Sequence, residues 1–135
     1  VLTEVDVDNF IRSKAAIYAG CQTLADSVGI GTHEIDNIII AGTFGSQINI
    51  EKAVRVGLLP DMARDKFRFV GNGSLKGAHT AFLSLKTCQD MLKIADMITG
   101  IELSENEAFM DNYVSSLFLP HTDLNRFPSF LNQRG

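Results

Sequence analysis

Ile38-Ile39-Ile40-Ala41-Gly42-Thr43-Phe44-Gly45 decides how the rest of this sequence reads. Four residues, three of them β-branched, form a continuous apolar run, the pattern of a strand covered on both faces in a parallel sheet. The run then breaks into a glycine turn. A second stretch does the same: Phe67-Arg68-Phe69-Val70 reads as a strand and ends in Gly71-Asn72-Gly73-Ser74. In open parallel sheets, ligands sit beyond the carboxyl ends of the strands, where such turns lie. If the two strands are neighbours, a right-handed crossover puts both turns on one edge. Glycine lets backbone approach a flat or charged ligand closely, and a helix opening after Gly73 offers N–H groups to a phosphate oxygen. Gly42, Thr43, Phe44, Gly45, Gly71, Asn72, Gly73 and Ser74 are therefore the candidate nucleotide-binding residues. The plainer alternative is that the glycines only permit tight turns.

Helices fill the sequence around these strands. Thr3 with Asp6 is a capping arrangement for a helix to about Val28, closed by Gly29 and Gly31. Val7, Phe10, Ile11, Ile17, Tyr18, Cys21, Leu24 and Val28 recur on it at helical spacing. Lys14 interrupts that stripe, so it must snorkel, pair with an acid or reach a ligand; snorkelling is the expectation, and the ligand role keeps it among the candidate site residues. Ala15, Ala16 and Gly20 nearby suggest close packing on a neighbouring element. A short helix is expected from about Ile50 to Val56, capped by Asn49 and stopped by Gly57 and Pro60. Leu75, Ala78, Phe82 and Leu85 mark one face of a further helix, and Thr87 is the expected cap of the next, whose face carries Met91, Ile94, Ala95 and Ile98. Gly100 to Leu103 reads as a short strand. Ser104 with Glu107 repeats the capping-box pattern ahead of a helix bearing Phe109, Met110, Tyr113, Val114 and Leu117. From about 118 to 135 the sequence reads as an irregular tail. Without a repeat or linker, residues 1–135 read as one α/β unit.

Composition narrows the function classes. The 135 residues are 45% hydrophobic and 21% charged, with 12 basic against 16 acidic residues for a net −4. That is a globular balance with no basic patch for nucleic acid and no apolar run long enough for a membrane span. The sequence opens at Val1 without methionine or a signal-peptide pattern, as a fragment or processed product would. Cys21 and Cys88 are too few for an iron–sulfur cluster and read as reduced core cysteines of a cytoplasmic protein. His33, His79 and His121 have no metal-ligand spacing; His79 is expected to be semi-buried. Asp61 and Asp65 read as solvated loop carboxylates. No Gly-Lys-Ser/Thr phosphate loop is present, and Gly71, Gly73 and Gly77 miss the dinucleotide fingerprint by one residue. No catalytic or metal-binding residue is assigned.

Several stretches resemble a known family. Ser13–Gly20 is similar to its Ala-Lys-Ala-Ala-Ile-x-Ala-Gly, and Ile40–Gly45 to its Leu-Ala-Gly-Gly-Phe-Gly. Ala53–Pro60 resembles Ala-x-x-Ile-Gly-Leu-Leu-Pro, and Val70–Ala78 resembles Val-Gly-Asn-x-Ser/Ala-Leu-x-Gly-Ala. Phe118-Leu119-Pro120-His121 and Phe127-Pro128 also match. The family is that of the reductive activators of corrinoid proteins, including those of methyltransferases and O-demethylases. The resemblance implies the C-terminal lobe of an actin-like (sugar kinase/heat-shock protein/actin) ATPase fold, a short, mainly parallel sheet with flanking helices. It implies ATP or ADP with Mg²⁺ in the longer protein, an iron–sulfur module upstream, and reduction of cob(II) to cob(I) on a corrinoid protein. In such lobes the Gly-Gly-type turn contacts adenosine, which carries over to Gly42, Thr43, Phe44 and Gly45; Thr43 replaces the second glycine and narrows the approach. The phosphate loops and Mg²⁺ acids of the family precede this region, so this piece alone is expected not to hydrolyse ATP. Two other readings stand beside this one. The first is a non-catalytic module docking the corrinoid protein or a second subunit through the apolar tail (Phe118, Leu119, Phe127, Phe130 and Leu131), which is expected to fold back on its own core. The second is an actin-like small-molecule kinase. A homodimer is possible; nucleic acid and membrane partners are not expected.

Overall fold

The computed structural model describes residues 1–43 and 45–131, with Ser46 described by its backbone only. They form two compact units. The first comprises residues 1–36, 49–66 and 102–135, the second residues 37–48 and 67–101.

In the first unit, helix α1 (Glu4–Ser27) begins at a complete capping box: the Asp6 amide donates to Thr3 Oγ1 at 3.2 Å and the Thr3 amide to the Asp6 carboxylate at 2.9 Å. Gly29, at φ +67°, takes the left-handed conformation that ends it. Helix α1 packs along α5 (Glu107–Ser116). Its buried stripe is Lys14, Ala15, Tyr18, Ala19, Gly20 and Thr23. Of the expected apolar face, Tyr18 is buried and Ile11 half-buried, while Val7, Phe10, Ile17, Leu24 and Val28 are all exposed. Small residues win the contact because they let the helix axes approach, and a Cβ on Gly20 would already touch Leu103 at 3.7 Å. Asn112 on α5 donates across to Thr23 Oγ1 at 3.2 Å. The short helix α2 (Ile50–Arg55) is capped by Asn49, whose side chain accepts from the Lys52 amide at 3.0 Å, and buries Ala53 and Val54.

The tail joins this core. Phe127 is fully buried, packed on Tyr18 at 5.4 Å and on His121 at 6.1 Å between ring centroids. A last turn of helix, α6, covers Pro128–Leu131. The expectation of a tail folded onto its own core thus holds for Pro120, His121 and Phe127, while Phe118 and Leu119 stay exposed.

In the second unit, strand β1 (Ile38–Ala41) pairs in parallel with β2 (Phe67–Gly71), with Ile38 opposite Phe67 and a register shift after Ile40 that sets Ala41 opposite Gly71. Along β1 coverage alternates, with Ile39 exposed, so the strand is not enclosed on both faces as its sequence suggests. Helices α3 (Gly73–Leu83) and α4 (Leu85–Met97) follow and contact each other. Their apolar faces carry exposed side chains, among them Leu75, Phe82, Leu85, Met91 and Ile94.

Several local expectations are corrected. Ser84, not Thr87, caps α4, its hydroxyl accepting from the Thr87 amide at 3.2 Å; the N-cap lies one turn earlier because the backbone is extended at Ser84. Gly100–Leu103 forms no strand, and Leu103–Glu105 is a 3₁₀ turn that takes Ser104 out of the capping position before α5. His79 is exposed on α3, Cys21 is at the surface, and Cys88 is half-buried; both thiols are free. Among the described residues no helix is long and apolar enough to cross a membrane.

Candidate nucleotide-binding rim

Parallel pairing carries β1 and β2 to the same edge of the sheet, where both chains turn through glycine. Gly42 stands at φ +99° and Gly71 at φ +67°, conformations that side-chain-bearing residues rarely adopt. The two bends are joined directly: the Gly42 amide donates to the Gly71 carbonyl oxygen at 2.7 Å. Among the described residues, a Cβ built on Gly42 meets nothing within 4 Å. Gly45 opens a 3₁₀ turn, Gly45–Gln47, and packs so tightly that a Cβ there would lie 2.6 Å from the Ile40 side chain. That clash, with the positive φ at Gly42, explains why glycine occupies both positions. Thr43 is exposed between them; Phe44 lies outside the described residues.

On the second bend, Asn72 caps α3, its side chain accepting from the Leu75 amide at 2.9 Å. Gly73 and Ser74 open the helix, so their amides have no intrahelical acceptor. A Cβ on Gly73 would sit 3.5 Å from Ala41, ordinary contact, so close packing does not require glycine there. Lys76, absent from the sequence-based site, folds back over the bend and donates to the Val70 carbonyl at 2.7 Å. Its spacing from Gly71 gave no signal, since a reach back across a helix start depends on the turn geometry.

Lys14 belongs to the other unit and has a different environment. It is fully buried, with Nζ donating to the Phe118 carbonyl and, at 2.8 Å, to the Pro120 carbonyl. Burial lowers its pKa from 10.5 to about 8. The expected snorkelling is overturned: two backbone oxygens, not water, take the ammonium protons, which offsets the desolvation cost. Asp61 is likewise not a solvated loop acid. Its nearly buried carboxylate binds Arg64 at 3.0 Å and the Ser129 amide at 2.7 Å. Arg64 also reaches Glu51 at 2.8 Å, and that pairing holds the Glu51 carboxyl below its ordinary range. Asp61 and Arg64 at spacing i, i+3 were visible in the sequence, but their link to Ser129 was not.

Chemically, the rim offers amides, carbonyls and small polar side chains at an open sheet edge, a donor set suited to a nucleoside. Its residues include no carboxylate, so they do not themselves fit Mg²⁺, which takes oxygen ligands including carboxylates. Among the described residues no cluster of three or more His, Cys, Asp or Glu could hold a metal ion. The sequence's two cysteines cannot furnish the four ligands of an iron–sulfur cluster.

Comparison with known proteins agrees with this architecture. The chain is 35% identical over 114 residues to the corrinoid activation enzyme RamQ of Eubacterium limosum, covering 84% of this chain and 19% of that protein. It is 30% identical over 118 residues to the [Co(II) methylated amine-specific corrinoid protein] reductase of Methanosarcina barkeri, covering 86% of this chain and 22% of the other. A solved reductive activator for corrinoid, iron-sulfur protein superposes with a TM-score of 0.87 at 51% identity, over 95% of this chain and 20% of that one. The chain thus spans only about a fifth of the length of these relatives. The family described as the C-terminal domain of RACo, the ASKHA domain, matches residues 1–131. With its α/β sheet and flanking helices, the chain belongs to that family.

Proposed function

We propose that this chain is the C-terminal lobe of an ATP-dependent reductive activator of a corrinoid protein, and that its paired glycine bends supply the adenosine side of the nucleotide site. The observation that carries the site is the 2.7 Å hydrogen bond from the Gly42 amide to the Gly71 carbonyl, with nothing among the described residues within 4 Å of a Cβ on Gly42. It brings the two bends together, which supports assigning Gly42, Thr43, Gly71, Asn72, Gly73 and Ser74 to one site, with Gly45 buried beneath them; Phe44 is assigned to it from the sequence. The names of the relatives support the role: two are a corrinoid activation enzyme and a corrinoid protein reductase.

The reaction adds one electron to cob(II)alamin-type cobalt to give cob(I). An iron–sulfur module elsewhere in the longer protein would supply one-electron chemistry, and ATP binding and hydrolysis would be coupled to the uphill step. The partner is a corrinoid protein of a methyltransferase or O-demethylase system in the cytoplasm. Mg²⁺ and the phosphate-side residues belong to the rest of that protein, so this chain binds nucleotide without hydrolysing it. Lys14 does not contribute from its buried position to this reading; it holds the tail.

Calorimetric titration with ADP and ATP tests the assignment. Saturable binding that Gly42→Val weakens by about tenfold or more is expected, since a Cβ-branched side chain at positive φ distorts the bend. No binding by the native chain, or equal binding by the variant, overturns it. Measurable ATP turnover by the purified chain overturns the division of labour.

A second reading, a docking module for the corrinoid protein or a second copy, is favoured by Val114 and Phe118, spaced i, i+4 and both exposed where α5 runs into the tail. Size-exclusion chromatography with and without the corrinoid protein tests it, and Phe118→Ser should abolish any complex.

A further inference from the structure

The first unit contains a cavity of about 500 Å³, and none of its lining residues belongs to the glycine rim. Tyr18, Met62 and Pro128 supply apolar wall, and His33, Lys66 and Arg126 bring nitrogen donors to it from three separate turns of the chain. We infer that this cavity is a binding site for a small organic anion, a carboxylate or phosphate monoester with an apolar body.

The charge arrangement supports an anion. Asp61 also lines the cavity, but its carboxylate is already held by Arg64 at 3.0 Å and by the Ser129 amide at 2.7 Å. Lys66 donates one proton to the Ile35 carbonyl at 2.6 Å, which fixes the ammonium and leaves two N–H groups for other acceptors. Arg126 hydrogen-bonds the Tyr18 phenol and is loosely paired with Asp123, its Nε 3.8 Å from that carboxylate, which leaves most of its five donors for other acceptors. The same guanidinium acts on Tyr18 and His121: it opposes the burial that raises the Tyr18 phenol, and it adds to the burial that lowers His121. Two cations thus face a space whose lining carboxylate is spoken for. The cavity volume is that of ordinary small-molecule sites, which combine apolar walls with a few placed polar groups.

Phenyl phosphate, benzoate and benzyl alcohol are the probes, titrated into the native chain and followed by amide chemical shifts. The expected result is saturable shifts for Met62 and Asn125 with at least one of the two anions, and about tenfold weaker binding of the alcohol, the scale of a lost charge-assisted hydrogen bond. The anion that binds more tightly identifies the head group. Lys66→Gln and Arg126→Gln should each weaken that binding by about tenfold. A shift pattern elsewhere on the chain, equal binding of benzyl alcohol, or unaltered affinity in both folded variants overturns the inference. Unchanged shifts for Gly42 and Gly71 keep the outcome independent of nucleotide binding at the rim.

Discussion

Lys14 Nζ lies 2.8 Å from the carbonyl oxygen of Pro120, in a site closed to solvent, and the same ammonium also donates to Phe118. One side chain on α1 thereby fixes a tail more than a hundred residues away. Lys14→Met fits the apolar stem but strands two carbonyls, and it should cost about 2–4 kcal/mol in urea unfolding. Free tail residues should then exchange their amide protons faster, beginning at His121.

The same lysine predicts a pH dependence. Its folded pKa is depressed by burial to about 8 against 10.5 unfolded. Below pH 8 both states are protonated and the full cost of burying the charge is present. Between pH 8 and 10 the unfolded state holds more protons, so stability rises with pH. Above pH 10 Tyr18, whose phenol burial raises, acts in the opposite sense. Urea midpoints should climb from pH 8 to 10 in the native chain and lose that slope in Lys14→Met.

Gly57 is at φ +75°, and a Cβ there would run into the Pro120 backbone. Neither obstacle can be relieved by rotating a side chain. Gly57→Ala should therefore destabilise by more than about 2 kcal/mol, read as a lower thermal midpoint. An alanine at Gly100, where a Cβ would meet open space, is the control and should leave the midpoint nearly unchanged.

Asp61→Asn keeps the shape but removes the charge between Arg64 and the Ser129 amide. A loss of about 1–3 kcal/mol is expected. Glu51→Gln touches the exposed end of the same network and should have a smaller effect, separating the buried bond from the solvated one.

The cap of α4 distinguishes two residues three apart. Ser84→Ala should cost about 1 kcal/mol by releasing the Thr87 amide, whereas Thr87→Ala should leave the chain nearly as stable. Helicity by circular dichroism and urea midpoints check both.

Local chemistry made much of this chain readable in advance. Thr3 with Asp6, Asn49, and the β-branched run before Gly42 act within a few residues of themselves, so helix α1, helix α2 and both strands stand where their sequence signals lie. The signals failed where two candidates competed within one turn, as at Ser84 and Thr87, or where partners came from far along the chain. On α1 the small residues did signal close packing, and Ala15 and Gly20 are inside, but Ala16 is exposed and most of the larger apolar stripe is open because close helix contact selects for size.

Sequence alone determined helices α1 and α2, both strands, and glycine at both strand ends, because these depend on backbone preference and short-range hydrogen bonds. Only the folded chain decided that the Gly42 amide meets the Gly71 carbonyl, that Lys14 is sealed beneath the tail, and that Asp61 is claimed by Arg64 and Ser129. Apart from the Asp61–Arg64 pair at i, i+3, each of those contacts joins residues whose separation along the chain carries no periodic signal. Their energy comes from exclusion of water at the meeting point, a property of the packed molecule rather than of any one segment.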